Sequence, residues 1–234
     1  MRSIFKVISV VTIFSIAMGF METAVVIYIR ELYYPAGFNF PIVPVSRLVL
    51  ATELFRELAT IIMLISIGFI SGRKFKERFA IFLLSFAVWD LAYYLFLKLL
   101  INWPASLLTW DLLFLIPIPW AGPVLAPCII SLNMIFLAFI IICLQEKNYE
   151  VNIRWIDWMF MLLYSLLIIF SFTIGYLNII LTTGESITGL LVSEKVMQFV
   201  PFYYNWYIFS AAQFILMADY YMIIKRSRRK PIAG

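Results

Sequence analysis

Glu53, Arg56 and Glu57 form the pattern E-x-x-R-E inside a helix-length apolar run that begins at Arg47. Residues three and four apart on a helix share a face, so the three charges project from one side within about 100° of arc. Ionisable groups at bilayer depth cost roughly 2.5 to 3.5 kcal/mol each even on lenient scales, unless they pair or reach an aqueous cavity inside a bundle. The spacing therefore predicts a buried polar site. Carboxyl groups held this way keep protons or bind a cation. With a guanidinium beside them they also serve as an ion-pair network that fixes helix register.

Two more acids lie in neighbouring apolar runs. Glu22 shares a face with Ser15 and Gly19 in the first run, and Asp90 sits mid-run in the third with Tyr94 one turn on. At 1.5 Å per residue, Glu22 lies roughly 8 to 10 Å and Glu53 about 9 Å below the outer boundary. Arg56 and Glu57 lie about 14 to 15 Å down, with Asp90 near the midplane. One layer then holds four carboxylates against one guanidinium, an excess that requires protons or a cation. Arg30, Lys98 and Asp111 are candidates for an outer mouth to this ion- or proton-binding site. Asp219, nearer the other end of its run, is expected to pair with Lys225 or an arginine of the tail.

The elements that position these groups are read from composition. Of 234 residues, 64% are hydrophobic and 13% charged, with a mean hydropathy of +0.99. Soluble domains carry about a quarter charged residues, so this is an all-α, polytopic membrane helix bundle. Histidine is absent, which removes His-ligated haem, histidine zinc sites and His-based triads. No cofactor is evident, and a carboxylate-only site would suit a hard cation such as Mg, Ca or Mn. Cys128 and Cys143 lie on one expected helix, about 22 Å apart, too far for a disulfide within it.

Six transmembrane helices are expected, over 7–29, 47–70, 79–100, 124–144, 155–180 and 203–224, as a single integral membrane domain spanning 1–234. The first run resembles a signal peptide with Ala17-Met18-Gly19 as a cleavage site, but its length predicts an uncleaved span. Ser15-x-x-x-Gly19 is a small-xxx-small pair suited to close helix approach. Ser171, Gly175 and Asn178 mark a packing seam on the fifth helix. Between helices 3 and 4 the chain is apolar yet broken by Pro104, Pro117, Pro119, Pro123 and Pro127. Its uninterrupted piece, 105–116, is too short to span, so it is expected as an interfacial helix or as a re-entrant segment carrying Asp111 inward. Gly184 and Gly189 are spaced like the start of a phosphate loop, but Leu190 and Leu191 stand where Lys and Ser or Thr are required.

Basic residues set the expected orientation. Arg73, Lys74, Lys76 and Arg78 follow helix 2, and Lys225, Arg226, Arg228, Arg229 and Lys230 follow helix 6, against Arg30, Arg47, Lys98 and Lys195 on the opposite side. By the positive-inside rule both termini are cytoplasmic. The net charge of +5 is thus spread by topology, and no nucleic acid partner is implied. The expected partners are the lipid bilayer and other membrane subunits. No eukaryotic targeting signal is evident, so the expected location is a cell membrane of the bacterial inner-membrane type.

Three functions fit these residues. The first is a small transporter that conducts protons or a cation through the carboxylate layer. The second is a non-catalytic subunit of a larger membrane complex. The third is an integral membrane enzyme acting on a lipid-linked substrate, with carboxylates as acid and base and Arg56 on a phosphate; no nucleophile elbow, D-x-x-D spacing or phosphate loop supports that third reading.

Overall fold

The computed structural model describes residues 4–116, 118–147, 149–183 and 198–229. Arg2, Pro117, Lys195, Lys230 and the Gly184–Leu191 segment lie outside the described residues. The chain is all-α, and the described residues include six helices long and apolar enough to cross a membrane: α1 Ile4–Tyr33, α2 Arg47–Ser71, α3 Phe75–Ile101, α4 Leu125–Glu146, α5 Trp155–Thr183 and α6 Trp206–Arg226. In hydrocarbon every backbone N–H and C=O must be satisfied within the segment, which only a continuous helix or a closed barrel achieves. Most helices run a few residues beyond the apolar windows, because the hydrogen-bonded backbone continues through flanking polar residues such as Arg30 and Glu31.

The helix α3 is the axis of one half of the molecule. Both α1 and α2 pack against it, yet they scarcely touch each other. Small residues explain the α1 contact. Ser15, Gly19 and Thr23 recur every four residues along one stripe; the Ser15 hydroxyl meets that of Ser85 at 2.8 Å, and Thr23 donates to the Tyr93 carbonyl at 3.2 Å. A Cβ on Gly19 would lie 2.7 Å from the Ala92 Cβ and 2.8 Å from the Trp89 carbonyl oxygen. Only glycine allows that approach, as the sequence spacing predicts. At the far end of α3, Asn102 adopts the left-handed conformation (φ 53°) and terminates the helix.

The other half is built from α5 and α6, which pack together, with α4 joining them to α3 through a shared apolar core. The expected seam on α5 holds in part: Ser171 and Gly175 pack against the 198–205 connection rather than a helix, and Asn178 is exposed. The Ser171 hydroxyl meets that of Tyr204 at 2.9 Å, and Gly175 faces the ring of Phe199. Large apolar side chains such as Ile13, Phe55, Phe69, Leu166 and Phe214 remain on the outer surface. In a membrane that surface meets lipid, which carries no hydrophobic penalty.

The connection between α3 and α4 departs from one of its two expected forms: among the described residues it contains no interfacial helix. Instead β1, Trp110–Phe114, pairs antiparallel with β2, Trp120–Pro123, with an irregular register between Leu112 and Phe114. The pairing satisfies backbone groups that the prolines deny to a helix. Gly122 is required at the α5 contact, because a Cβ there would lie 2.5 Å from the Phe172 ring. A second short pair joins β3, Tyr149–Glu150, to β4, Arg228–Arg229, and ties the α4–α5 turn to the end of α6.

Candidate functional site

Five of the sequence-predicted residues, Glu22, Glu53, Arg56, Glu57 and Asp90, line a single cavity of ≈ 180 Å³, together with Arg30 and Asp111. Its walls come from α1, α2, α3, the 34–45 connection and the β1–β2 hairpin. Lys98 is not among the lining residues. Its ammonium donates instead to the Pro104 carbonyl at 3.0 Å, at the solvent-exposed end of α3. The reason is reach: Lys98 lies two turns beyond Asp90 and about 80° round the helix.

The cavity's charges fall into pairs. Arg56 bridges α2 to α1: its Nη1 bonds Glu22, while Nε donates to Glu53 Oε2 at 2.8 Å and Nη2 lies 2.8 Å from the same oxygen as an ion pair. Arg30, at the last turn of α1, donates to Asp111 Oδ1 at 3.1 Å. Its guanidinium also lies 3.8 Å from the centroid of the Trp103 ring and 4.7 Å from that of Phe38, where each ring face attracts the cation. Tyr94 donates to the other Asp111 oxygen at 3.1 Å. The hairpin thus inserts Asp111, which is 1% exposed, between α1 and α3. Burial pushes the Asp111 carboxyl up from its ordinary value, opposed by the Arg30 guanidinium, the Leu112 backbone and the Tyr94 hydroxyl.

Among the described residues, two of the cavity's carboxyl groups make no ion pair. Glu57 is buried, and both its oxygens accept the Leu115 backbone N–H, at 2.9 and 3.0 Å. Asp90 accepts the Ser131 hydroxyl of α4 at 2.8 Å. Each therefore has one donor where an isolated carboxylate would need several. Five carboxyls stand against two guanidiniums around the cavity, and both guanidiniums are already committed. Among the described residues, Arg30 Nη1 is the one buried guanidinium nitrogen with no acceptor.

Most of the remaining lining is apolar: Val26, Ile29, Ile42, Val45, Val49, Leu50 and Leu112 surround the charged floor. The roof, which sequence reasoning missed, is the 34–45 connection. Tyr34 accepts the Val43 N–H at 2.8 Å and closes that loop over the cavity; burial raises its phenol above the ordinary value. Three prolines there signalled only a break between helices. Among the described residues no three carboxyl or thiol groups converge as a metal-holding set.

The Asp219 expectation needs correction. Lys225 is directed towards the Tyr221 ring, and Arg226 pairs with Asp157, which the sequence reading did not single out. The first turn of α5 places Asp157 where its Oδ2 accepts the Arg154 N–H at 2.6 Å, an N-terminal cap that draws the carboxylate inward. No family model matches the chain, and no curated protein and no solved structure matches it either.

Proposed function

We propose that this chain is a multi-pass cell-membrane protein, folded as one integral domain with both termini cytoplasmic, whose outer-half cavity binds protons or a cation and conducts them. The observation that carries this reading is the charge imbalance around one cavity, where, among the described residues, Glu57 and Asp90 make no ion pair. Such groups in low dielectric hold a proton or attract a cation. The basic clusters at 73–78 and 225–230 support the orientation, and the cavity then lies in the outer half with the hairpin dipping into the membrane.

The occupant best supported is a proton or a monovalent cation, because no three ligating side chains converge among the described residues. The apolar wall suits a cation that carries hydrocarbon, such as an alkylammonium. Arg56 is ion-paired with both Glu22 and Glu53, which argues against its use as a phosphate clamp for a lipid-linked substrate.

The test is flux. Reconstituted into liposomes with a trapped pH-sensitive dye, the protein is expected to pass protons in exchange for sodium, potassium or tetramethylammonium. Glu57→Gln and Asp90→Asn are each expected to reduce that flux at least tenfold. Wild-type flux equal to that of empty liposomes, or full flux in both variants, would sink the reading.

A further inference from the structure

A second group of acids lies far from the outer cavity, where the α4–α5 turn meets the end of α6. We propose that Asp157 of α5, Asp219 of α6 and Arg226 of α6 form a separate proton-binding site, in which the two carboxyl groups share one proton. This site does not rest on the proposed transport function.

Donor counting carries the argument. Both Asp157 oxygens are occupied: Oδ2 by the Arg154 backbone N–H and Oδ1 by the Arg226 guanidinium. Asp219 is 0% exposed, and among the described residues no N–H or O–H reaches either of its oxygens. Its carboxyl instead lies within hydrogen-bond reach of Asp157. Two ionised carboxylates offer each other only acceptors, so that contact is bonding only when one of them carries a proton.

The surroundings supply no substitute. Among the described residues, the titratable and charged groups facing Asp219 are Asp157, Arg226 and Tyr220. The Tyr220 hydroxyl is already given to the Asn133 carbonyl at 3.1 Å, which leaves it no proton to donate. Arg226 is one cation for two carboxyls. A neutral Asp219 that donates to an ionised Asp157, itself held by Arg226, brings the cluster to net zero in a buried setting. Asp219 lies about 10 Å from the end of α6, and the Arg226 side chain is 20% exposed. The proton therefore has a short route to water past Arg226.

The test uses the full chain in lipid nanodiscs, labelled with ¹³C at the aspartate side-chain carboxyl. The sequence has four aspartates, Asp90, Asp111, Asp157 and Asp219, and the resonance lost in Asp219→Asn identifies that group. At pH 7 it is expected at the protonated position. Asp157→Asn is expected to ionise Asp219 at pH 7, moving its midpoint down by at least one pH unit, because the like charge is gone and Arg226 is free to pair. An ionised Asp219 in the wild type, or one still protonated at pH 7 in Asp157→Asn, overturns the proposal. If Asp219→Asn fails to fold, its resonance is assigned by elimination from the other three Asp→Asn variants, and both criteria stand.

Discussion

The two halves of this bundle handle buried polarity in opposite ways. Around α3, Glu22, Glu53, Arg56, Glu57, Asp90, Arg30 and Asp111 surround a cavity. Between α4, α5 and α6, apart from the Asp157–Asp219–Arg226 cluster at one end, the polar groups that bond across helices are neutral. There Asn133 donates to Gln213 Oε1, Gln213 donates to the Tyr164 hydroxyl at 3.4 Å, and Tyr220 donates to the Asn133 carbonyl. Amides and hydroxyls carry both donors and acceptors, so they can satisfy one another in a closed set. Carboxylates cannot, and five of them against two arginines leave an attraction for positive charge that only a proton or a ligand can meet. Under the function proposed above, it is the unbalanced polar content beside a cavity, and not polar content alone, that separates the two halves.

That contrast predicts a hierarchy of responses. The largest belongs to Arg56→Leu, which strands Glu22 and Glu53 together. Removing one partner of a buried ion pair costs about 3 to 5 kcal/mol, expected as a severe loss of folded yield, with partial recovery in the Glu22→Gln, Glu53→Gln, Arg56→Leu triple variant. Next is Gly19→Val. Its side chain would force α1 off Ala92 and the Trp89 carbonyl, an overpacking cost of about 1 to 3 kcal/mol, measured as a lower Tm in detergent.

Smaller effects separate the halves more sharply. Gln213→Leu breaks the neutral network and is expected to lower stability by only about 0.6 kcal/mol, the average for such bonds between membrane helices. Cation flux should stay unchanged in that variant; a tenfold fall would erase the distinction drawn between the two halves. The mildest effect is on pH dependence. The folded state binds the Asp111 proton more tightly than the unfolded chain, where its pKa is about 3.9. Its stabilising contribution is therefore complete below about pH 4 and lost as pH rises through the folded value. A downward slope of Tm over that window, flattened in Asp111→Asn, is the expected result.

The helices were legible in the sequence because hydrocarbon forces the same solution on every long apolar run. The charged layer was legible for a related reason: E-x-x-R-E inside such a run admits no lipid-facing arrangement, and the depths of Glu22 and Asp90 place them on the same level. The hairpin was not. Leu112, Leu113, Phe114 and Leu115 are all apolar, so the inside-out alternation that announces a strand in water is missing. Nothing in composition then separates a strand pair from a short helix. Asp157 escaped attention because an acid in the first turn of a helix reads as an ordinary cap. Its pairing with Arg226 and Asp219 arises only when α5 and α6 lie side by side. Lys98 failed through geometry, lying two turns beyond Asp90 and about 80° round the helix.

One tie described above governs how wide the outer cavity can be. Among the described residues, Arg56 to Glu22 is the sole polar link between α1 and α2, which otherwise lean separately on α3. Neutralising Glu22 would leave these two helices joined by little more than their shared neighbour. The clearance between them is thus braced by a single ion pair, and spin labels on their exposed faces should report a broader distance distribution in Glu22→Gln than in the wild type.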